Sequence, residues 1–145
     1  MEKIELLQSV SLFWDLSDKQ LGYIANQMVP RKYTSGEYFF LEDSEGEQCF
    51  FVIHGSVKVT RLSKDGREVI LAILSEGEFF GEMSLLDGDA RSANVIALED
   101  TKVFTLNRQD FLNVITDNPV IAIELIKVLG QRLRKSDRQI TSLSL

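Results

Sequence analysis

The strongest constraint on the fold is a regular recurrence of glycine through the middle of the chain. Six of the nine glycines lie at intervals of 10, 9, 11, 11 and 11 residues: Gly36, Gly46, Gly55, Gly66, Gly77 and Gly88. The intervals are rich in β-branched and aromatic residues. Turn residues at this spacing are typical of short antiparallel strands. The pattern therefore predicts a β-sandwich or a β-barrel.

Alternating apolar residues predict two strands that flank a hairpin. Apolar residues alternate from Phe51 to Val59 and again from Val69 to Ile73. Between them, Lys64-Asp65-Gly66 predicts a type I′ turn, because Asp-Gly suits the positive φ angles of that turn. A last strand is predicted over Thr101–Leu106.

Both ends of the chain carry helical patterns instead. Residues 4–26 are predicted to be helical, with a capping box between Ser17 and Gln20 at the start of a second helix. A further helix is predicted over Asn107–Thr116. Asn118 then precedes Pro119, as an N-cap residue before proline at the first helical position, and predicts a long helix to Leu145. The expected fold is mostly β with flanking helices.

The last helix carries a seven-residue apolar repeat. Its positions step by 4 and 3 alternately: Ala122, Ile126, Leu129, Leu133, Ser136, Ile140 and Leu143. Such a repeat predicts a dimer seam, although packing of the helix on its own barrel would also use part of it. The segment 124–145 has a net charge of +3, against −9 for the rest of the chain. No glycine or proline stops the helix, so we expect that it leads into a further domain.

Composition excludes several classes of protein. The 145 residues, 44% of them hydrophobic, suit one domain with a buried core. The net charge of −6 disfavours direct binding to nucleic acid. One cysteine, Cys49, and one histidine, His54, exclude an iron–sulfur cluster and a multi-histidine metal site, and leave no nucleophile–histidine–acid set. We therefore expect no enzyme and no cofactor. The chain has no signal peptide and no apolar run of about 18 residues, which predicts a cytoplasmic protein without a membrane segment.

The segment from Phe79 to Ala93 carries the candidate chemistry. Gly81 permits a close approach of the backbone to a ligand. Residues 82–86 are predicted to form one helical turn whose free N–H groups attract an anion, and Arg91 adds a charged fork. Glu82 suits a ligand that also offers a hydroxyl donor, so the segment indicates a nucleotide or a sugar phosphate. The alternative is a surface turn with an exposed Glu82–Arg91 ion pair.

This segment resembles the phosphate-binding cassette of cyclic nucleotide-binding domains. The shared features are Gly81-Glu82, an arginine nine positions later, and the small pair Ser92-Ala93. The preceding segments Val52–Val59 and Gly77–Phe80 match as well. The final helix, over Leu129–Ile140, is similar to the dimerisation helix of catabolite-activator-type regulators of the Crp/Fnr family.

The resemblance implies a fold and a division of the chain. The fold is a double-stranded β-helix, or jelly-roll, with N-terminal helices over residues 1–117 and a dimerisation helix over residues 118–145. A winged helix-turn-helix that binds DNA is expected after it and is absent from this sequence.

The resemblance also assigns roles to individual residues. Glu82 accepts the ribose 2′-hydroxyl, and Arg91 pairs with the cyclic phosphate. Around these two, the implied ligand-binding residues are Gly81, Met83, Ser84, Ser92 and Ala93 in the cassette, Val59, Leu71 and Leu74 at the purine, and Arg132 and Ser136 on the last helix.

The implied function is that of an effector-sensing domain. It binds a cyclic nucleotide, with cyclic AMP as the preferred candidate, and signals through a homodimer to the DNA-binding domain. Two alternatives remain open: a stand-alone or signalling-linked cyclic nucleotide-binding domain without DNA binding, and a Crp/Fnr relative with another effector such as cyclic di-GMP.

Overall fold

In the computed structural model, helices flank an eight-stranded antiparallel barrel. The model describes the backbone of residues 2–144 and the side chains of residues 3–136. The helices are α1 (Glu2–Leu7), α2 (Asp18–Gln27), α3 (Met83–Asp87), α4 (Arg108–Asp117) and α5 (Pro119–Ser144), with a 3-10 turn at Ser11–Phe13. The strands are β1 (Val29–Tyr33), β2 (Tyr38–Phe40), β3 (Gln48–His54), β4 (Ser56–Leu62), β5 (Glu68–Ser75), β6 (Phe79–Phe80), β7 (Asn94–Ala97) and β8 (Thr101–Asn107).

The strands form two four-stranded sheets that face each other. Their orders are β1-β8-β3-β6 and β2-β7-β4-β5, and every pairing within them is antiparallel. Strands that are neighbours in sequence therefore lie largely in opposite sheets, as in a jelly-roll. The predicted fold class is confirmed, including the helices at both ends.

Strand β3 is buried on both of its faces and separates two hydrophobic cores. Residues 49–53 are at most 3% exposed. Phe51 and Ile53 pack into a core shared with the N-terminal helices, α4 and α5. Phe50 and Val52 pack into a second core inside the barrel. By contrast, β5 is an edge strand whose apolar residues Val69–Leu71 and Ile73 are 39–59% exposed.

Local signals placed the helices correctly, with one break. The capping box is present, since the Ser17 side chain accepts from the backbone of Gln20 and the Gln20 side chain accepts from the backbone of Ser17. The helical prediction over residues 4–26 included residues that are not α-helical, because a 3-10 turn and extended residues separate α1 from α2. Helix α5 begins at Pro119 as predicted. The Asn118 side chain, however, donates to the carbonyl of Val114 in α4 and does not cap α5.

The β4–β5 hairpin is present, but its turn is not type I′. A type I′ turn needs positive φ at both central residues. In the loop Lys64-Asp65-Gly66, only Gly66 has a positive φ, of 82°. The Gly66 N–H donates to the carbonyl of Ser63, and the Ser63 N–H donates to the carbonyl of Arg67. The loop is therefore a three-residue connection that ends in a left-handed glycine.

The apolar residues of α5 divide between the barrel and solvent. Ile121 and Leu125, which lie outside the seven-residue repeat, are buried, and Leu129 of the repeat packs partly against the same core. Ile126 and Leu133 are 68% and 64% exposed. One side of α5 therefore packs on its own barrel, and another leaves apolar side chains uncovered; the dimer seam stays a prediction. The side chains of Ile140 and Leu143 lie outside the described residues.

Candidate functional site

A cavity opens between the barrel and α3. It has a volume of about 160 Å³. It adjoins a wider space of about 640 Å³ between β5 and α5. The two share Ala72, Leu74, Met83, Ser92 and Arg132 as lining residues. The site therefore has two adjoining parts, an inner part in the barrel and an outer part against the last helix.

Arg91 is the buried cation of the inner cavity. It is only 4% exposed. Its Nη1 donates to the carbonyl of Gly81 at 2.6 Å, and its Nη2 donates to the carbonyl of Gln48 at 2.5 Å. The guanidinium carbon lies 4.0 Å from the ring centroid of Phe40. The Nε atom is buried and finds no acceptor among the described residues. A buried polar group costs free energy when it is unpaired, so an acceptor that reached this donor would recover that cost.

Glu82 is the buried carboxylate of the same cavity. It is 4% exposed and precedes α3, where its Oε2 accepts from the backbone N–H of Met83 at 3.0 Å. Its Oε1 lies 3.2 Å from Nη1 of Arg132. Arg132 also donates to the carbonyl of Phe79 at 2.6 Å and stacks 4.6 Å from the Phe79 ring centroid. One arginine thus connects α5 to the carboxylate in the cavity.

Burial makes the charge of Glu82 costly. Desolvation raises the pKa of Glu82 above its ordinary value, and the neighbouring Arg132 partly opposes the change. Burial likewise lowers the pKa of Arg91, although an arginine stays protonated in proteins. A cavity of this kind favours a ligand that offers a hydrogen-bond donor to Glu82 and an anion to Arg91.

The raised pKa of Glu82 predicts a pH dependence of stability. Glu82 ionises in the unfolded chain near pH 4.5 and in the folded chain at higher pH. Below the unfolded pKa, both states are protonated and no charge is buried. As pH rises through the folded pKa, the wild type should therefore lose stability relative to Glu82→Gln, which mimics the protonated acid. Urea unfolding of both proteins over about pH 4 to 8 measures the difference. A difference that is constant with pH, or that runs the other way, contradicts the burial of this charge.

The structure brings the sequence-predicted site residues together around this space. Ten line the inner cavity: Val59, Leu74, Gly81, Glu82, Met83, Ser84, Arg91, Ser92, Ala93 and Arg132. Leu71 and Ser136 line the outer space instead. The alternative of an exposed Glu82–Arg91 ion pair is wrong, because both side chains are buried and Glu82 pairs with Arg132.

Sequence reasoning missed four further residues of the inner wall: Phe40, Ala72, Phe80 and Val95. Three of them had a usable signal in the strand register. Val59 is opposite Ala72 in the β4–β5 pairing and opposite Val95 in the β4–β7 pairing. Cross-strand neighbours on one face share their surroundings, so a correct register would have placed both in the cavity. Phe40 in turn is opposite Val95 in the β2–β7 pairing, so the same register argument extends to it, although its position over Arg91 is seen only in the folded chain.

The remaining site classes find no support within the described residues. No group of three or more histidine, cysteine, aspartate or glutamate side chains is arranged to hold a metal ion there. No helix in that part of the chain is long and apolar enough to cross a membrane. Cys49 is buried and unpaired, and its burial raises the pKa of the thiol.

A jelly-roll barrel with a buried arginine and a buried carboxylate in one cavity is a binding domain for a small anionic ligand. Comparison with known families makes this class specific. The model of the cyclic nucleotide-binding domain matches residues 30–118, and the chain belongs to this family.

The similar proteins include transcription regulators and kinases. The chain is 37% identical over 133 residues to the cyclic AMP receptor protein of Thermus thermophilus, covering 92% of this chain and 62% of that protein. The crystal structure of the Thermus thermophilus catabolite activator protein superposes with a TM-score of 0.82, at 37% identity over 92% of this chain and 62% of that one. A cGMP-dependent protein kinase of Caenorhabditis briggsae is 36% identical over 118 residues, which are 79% of this chain and 16% of the kinase.

The chain is thus homologous to catabolite-activator-type transcription regulators. It spans 62% of the length of the Thermus regulator. In the kinase, the matching domain is a small part of a much longer protein.

Proposed function

We propose that this chain is the effector-sensing domain of a transcription regulator and that its effector is a cyclic purine nucleotide, cyclic AMP before the others. One observation carries the proposal: Arg91 and Glu82 are both buried in a single cavity. A guanidinium is the side chain best suited to pair with a phosphate. A carboxylate beside it would repel a simple phosphate but accepts a hydrogen bond from a ribose hydroxyl. The two together suit a nucleotide whose phosphate and sugar enter the barrel.

The walls around this pair suit a purine. Val59 and Leu74 give the inner cavity apolar sides, and Leu71 continues them into the outer space. Ser136 lines the outer space from α5 and offers both a donor and an acceptor. We assign the base to this boundary between the barrel and α5, so that the ligand contacts both.

Arg132 connects the ligand site to α5. Its guanidinium is bound to the carboxylate of Glu82 and to the carbonyl of Phe79. A ribose hydroxyl that donates to Glu82 would share that carboxylate with Arg132. Occupancy of the cavity would then change the contacts that hold α5 on the barrel, and a ligand shifts a conformational equilibrium only through such differential contacts.

We assign the output to a homodimer through residues 118–145 and to a DNA-binding domain. The exposed Ile126 and Leu133 supply an apolar seam for a second copy. The acidic chain itself is a poor ligand for DNA, so the proposed DNA contact belongs to a winged helix-turn-helix outside the present sequence. The proposal includes a cytoplasmic location and no catalytic activity.

A second candidate is a signalling-linked domain with another effector. The cGMP-dependent kinase of Caenorhabditis briggsae is nearly as similar to this chain, over the residues that match, as the Thermus regulator. The outer space of about 640 Å³ also leaves room for a ligand larger than a mononucleotide, such as cyclic di-GMP.

A ligand panel tests the proposal. Cyclic AMP at about 100 times its dissociation constant should stabilise the domain by about 2.7 kcal/mol. Calorimetry and thermal unfolding with cyclic AMP, cyclic GMP, cyclic di-GMP, 2′-deoxy cyclic AMP and adenosine rank the effectors. We expect cyclic AMP to bind better than its 2′-deoxy analogue, because only the ribose offers a donor to Glu82, and better than adenosine, which has no phosphate for Arg91. If no cyclic nucleotide shifts the melting temperature at millimolar concentration, the proposed function is wrong.

A further inference from the structure

A second arginine, Arg108, holds the two sides of the phosphate cassette together. It is the first residue of α4. Its Nη2 donates to the carbonyl of Gly46, before β3, at 3.0 Å and to the carbonyl of Ser84, in α3, at 3.1 Å. Its backbone N–H donates to the carbonyl of Glu47 at 3.0 Å. One residue thus fixes the β2–β3 connection and the cassette helix relative to each other.

The gap between these two sides is where the Arg91 side chain passes. A Cβ added at Gly46 would lie 2.4 Å from Cβ of Ser84 and 2.9 Å from Cζ of Arg91. Both distances are shorter than van der Waals contact, so the gap has no spare width. Any movement of the Gly46 backbone therefore changes the room that is left for the guanidinium.

The β2–β3 connection also holds the backbone of Arg91. The Arg91 N–H donates to the carbonyl of Ser44, and the Asp43 N–H donates to the carbonyl of Arg91, both at 2.8 Å. At the other end of the side chain, Nη2 of Arg91 donates to the carbonyl of Gln48. The connection and the first residue of β3 thus contact Arg91 from its backbone to its guanidinium, and Arg108 anchors the segment between these two contacts, at Gly46 and Glu47.

The two arginines also concentrate positive charge. Burial chiefly lowers the pKa of Arg91, the charge of Arg108 lowers it further, and the carboxylates of Glu82 and Glu47 oppose the change. The Nε atoms of both arginines are buried without an acceptor among the described residues. A bound anion would compensate this charge and accept from the free donor of Arg91.

We propose that Arg108 is a positioning residue for the anion site: by tying Gly46 to Ser84, it sets the gap that holds the Arg91 guanidinium in place for the ligand phosphate. Arg108 is not among the residues that line either part of the site, so it acts through Arg91. The identity of the ligand in this inference rests on the proposed function. The effect of Arg108 on the position of Arg91 does not depend on it.

A first experiment uses the ligand-free protein. The buried Nε–H of Arg91 should give a slowly exchanging NMR signal, assigned by its loss in Arg91→Lys. Arg108→Met should shift this signal and speed its exchange with water. Arg67→Met is the matched control, because Arg67 is 84% exposed on the β4–β5 turn, and it should leave the signal unchanged. An unaltered Arg91 signal in a folded Arg108→Met protein overturns the inference.

A second experiment measures cyclic AMP affinity in a double-mutant cycle. Arg108→Met should weaken binding about tenfold, equivalent to about 1.4 kcal/mol. In an Arg91→Lys background, the same change should cost less than about twofold, because coupled residues are not additive. Equal losses in both backgrounds would assign Arg108 to general stability and overturn the inference.

Two outcomes separate the inference from the proposed function. If the wild type binds no cyclic nucleotide, the proposed function fails, and the Arg91 signal still decides whether Arg108 positions Arg91. If Arg108→Met does not fold, Arg108→Lys replaces it in both experiments. Lysine keeps the charge but lacks the planar fork that spans two carbonyls, so we expect a smaller but measurable shift of the signal and partial recovery of affinity.

Discussion

Arg91→Ala should weaken the binding of cyclic AMP by about 10- to 100-fold or more, since a hydrogen bond to a charged group contributes about 1.5–3 kcal/mol. The substitution removes the buried cation of the cavity and its free Nε donor. It also leaves the carbonyls of Gly81 and Gln48 without their donor. Isothermal titration calorimetry measures the affinity, and thermal unfolding shows how much of the change reflects stability.

Two further variants make the result for Arg91 interpretable. Arg91→Lys retains a positive charge and should bind more tightly than Arg91→Ala, yet below the wild type, because one ammonium cannot reproduce the planar fork. Arg67→Ala removes an exposed arginine of the β4–β5 turn and should leave the affinity unchanged. An affinity within twofold of the wild type in folded Arg91→Ala would exclude this side chain as the phosphate partner.

Leu133→Glu should convert a dimer into monomers while the barrel stays folded. Leu133 is 64% exposed and, with Ile126, forms the uncovered apolar side of α5. In a parallel pair with two-fold symmetry, each copy would place a carboxylate against its own image, and the burial of like charges is strongly unfavourable. Sedimentation or light scattering at tens of micromolar protein measures the mass, and circular dichroism reports on the fold.

Lys127→Gln is the matched control for the seam. It also lowers the net charge by one, but it lies about 120° around the helix from Leu133, since each residue turns an α-helix by about 100°. Lys127 pairs with Glu124 at the exposed surface, where such pairs contribute little. This variant should remain dimeric. A monomeric wild type, or a dimer that survives Leu133→Glu, contradicts the seam.

The parts of the site that were predictable lie close together in the sequence. Gly81, Glu82 and Arg91 span eleven residues, and their chemical types by themselves indicate an anionic ligand that carries a hydroxyl. The capping box at Ser17 is likewise a local signal, and it formed as expected. In both cases the residues lie within eleven positions of one another in the sequence, so that their types and spacing carry the information.

The parts that were not predictable depend on contacts between distant segments. Arg108 meets Gly46 and Ser84, which lie 62 and 24 residues away in the sequence. The pairing of Glu82 with Arg132 joins residues 50 positions apart. Leu129 belongs to the apolar repeat of α5, but it packs on its own barrel because the position of the helix is set by the core it covers. Periodicity shows which face of a helix is apolar, and it does not show what covers each residue.

The double-sided burial of β3 gives the cavity walls of unequal stiffness. A strand that both cores hold cannot separate from its neighbours without exposing apolar surface on two sides, so its opening requires nearly global unfolding. The edge strand β5 carries apolar residues that already face solvent, and among the described strands it has a hydrogen-bonded neighbour, β4, on one side alone. Opening β5 would therefore break one strand pairing and expose less new apolar surface than opening β3 would. We expect the β3 side of the cavity to be the stiffer wall and the β5 side to be the one that moves when a ligand enters.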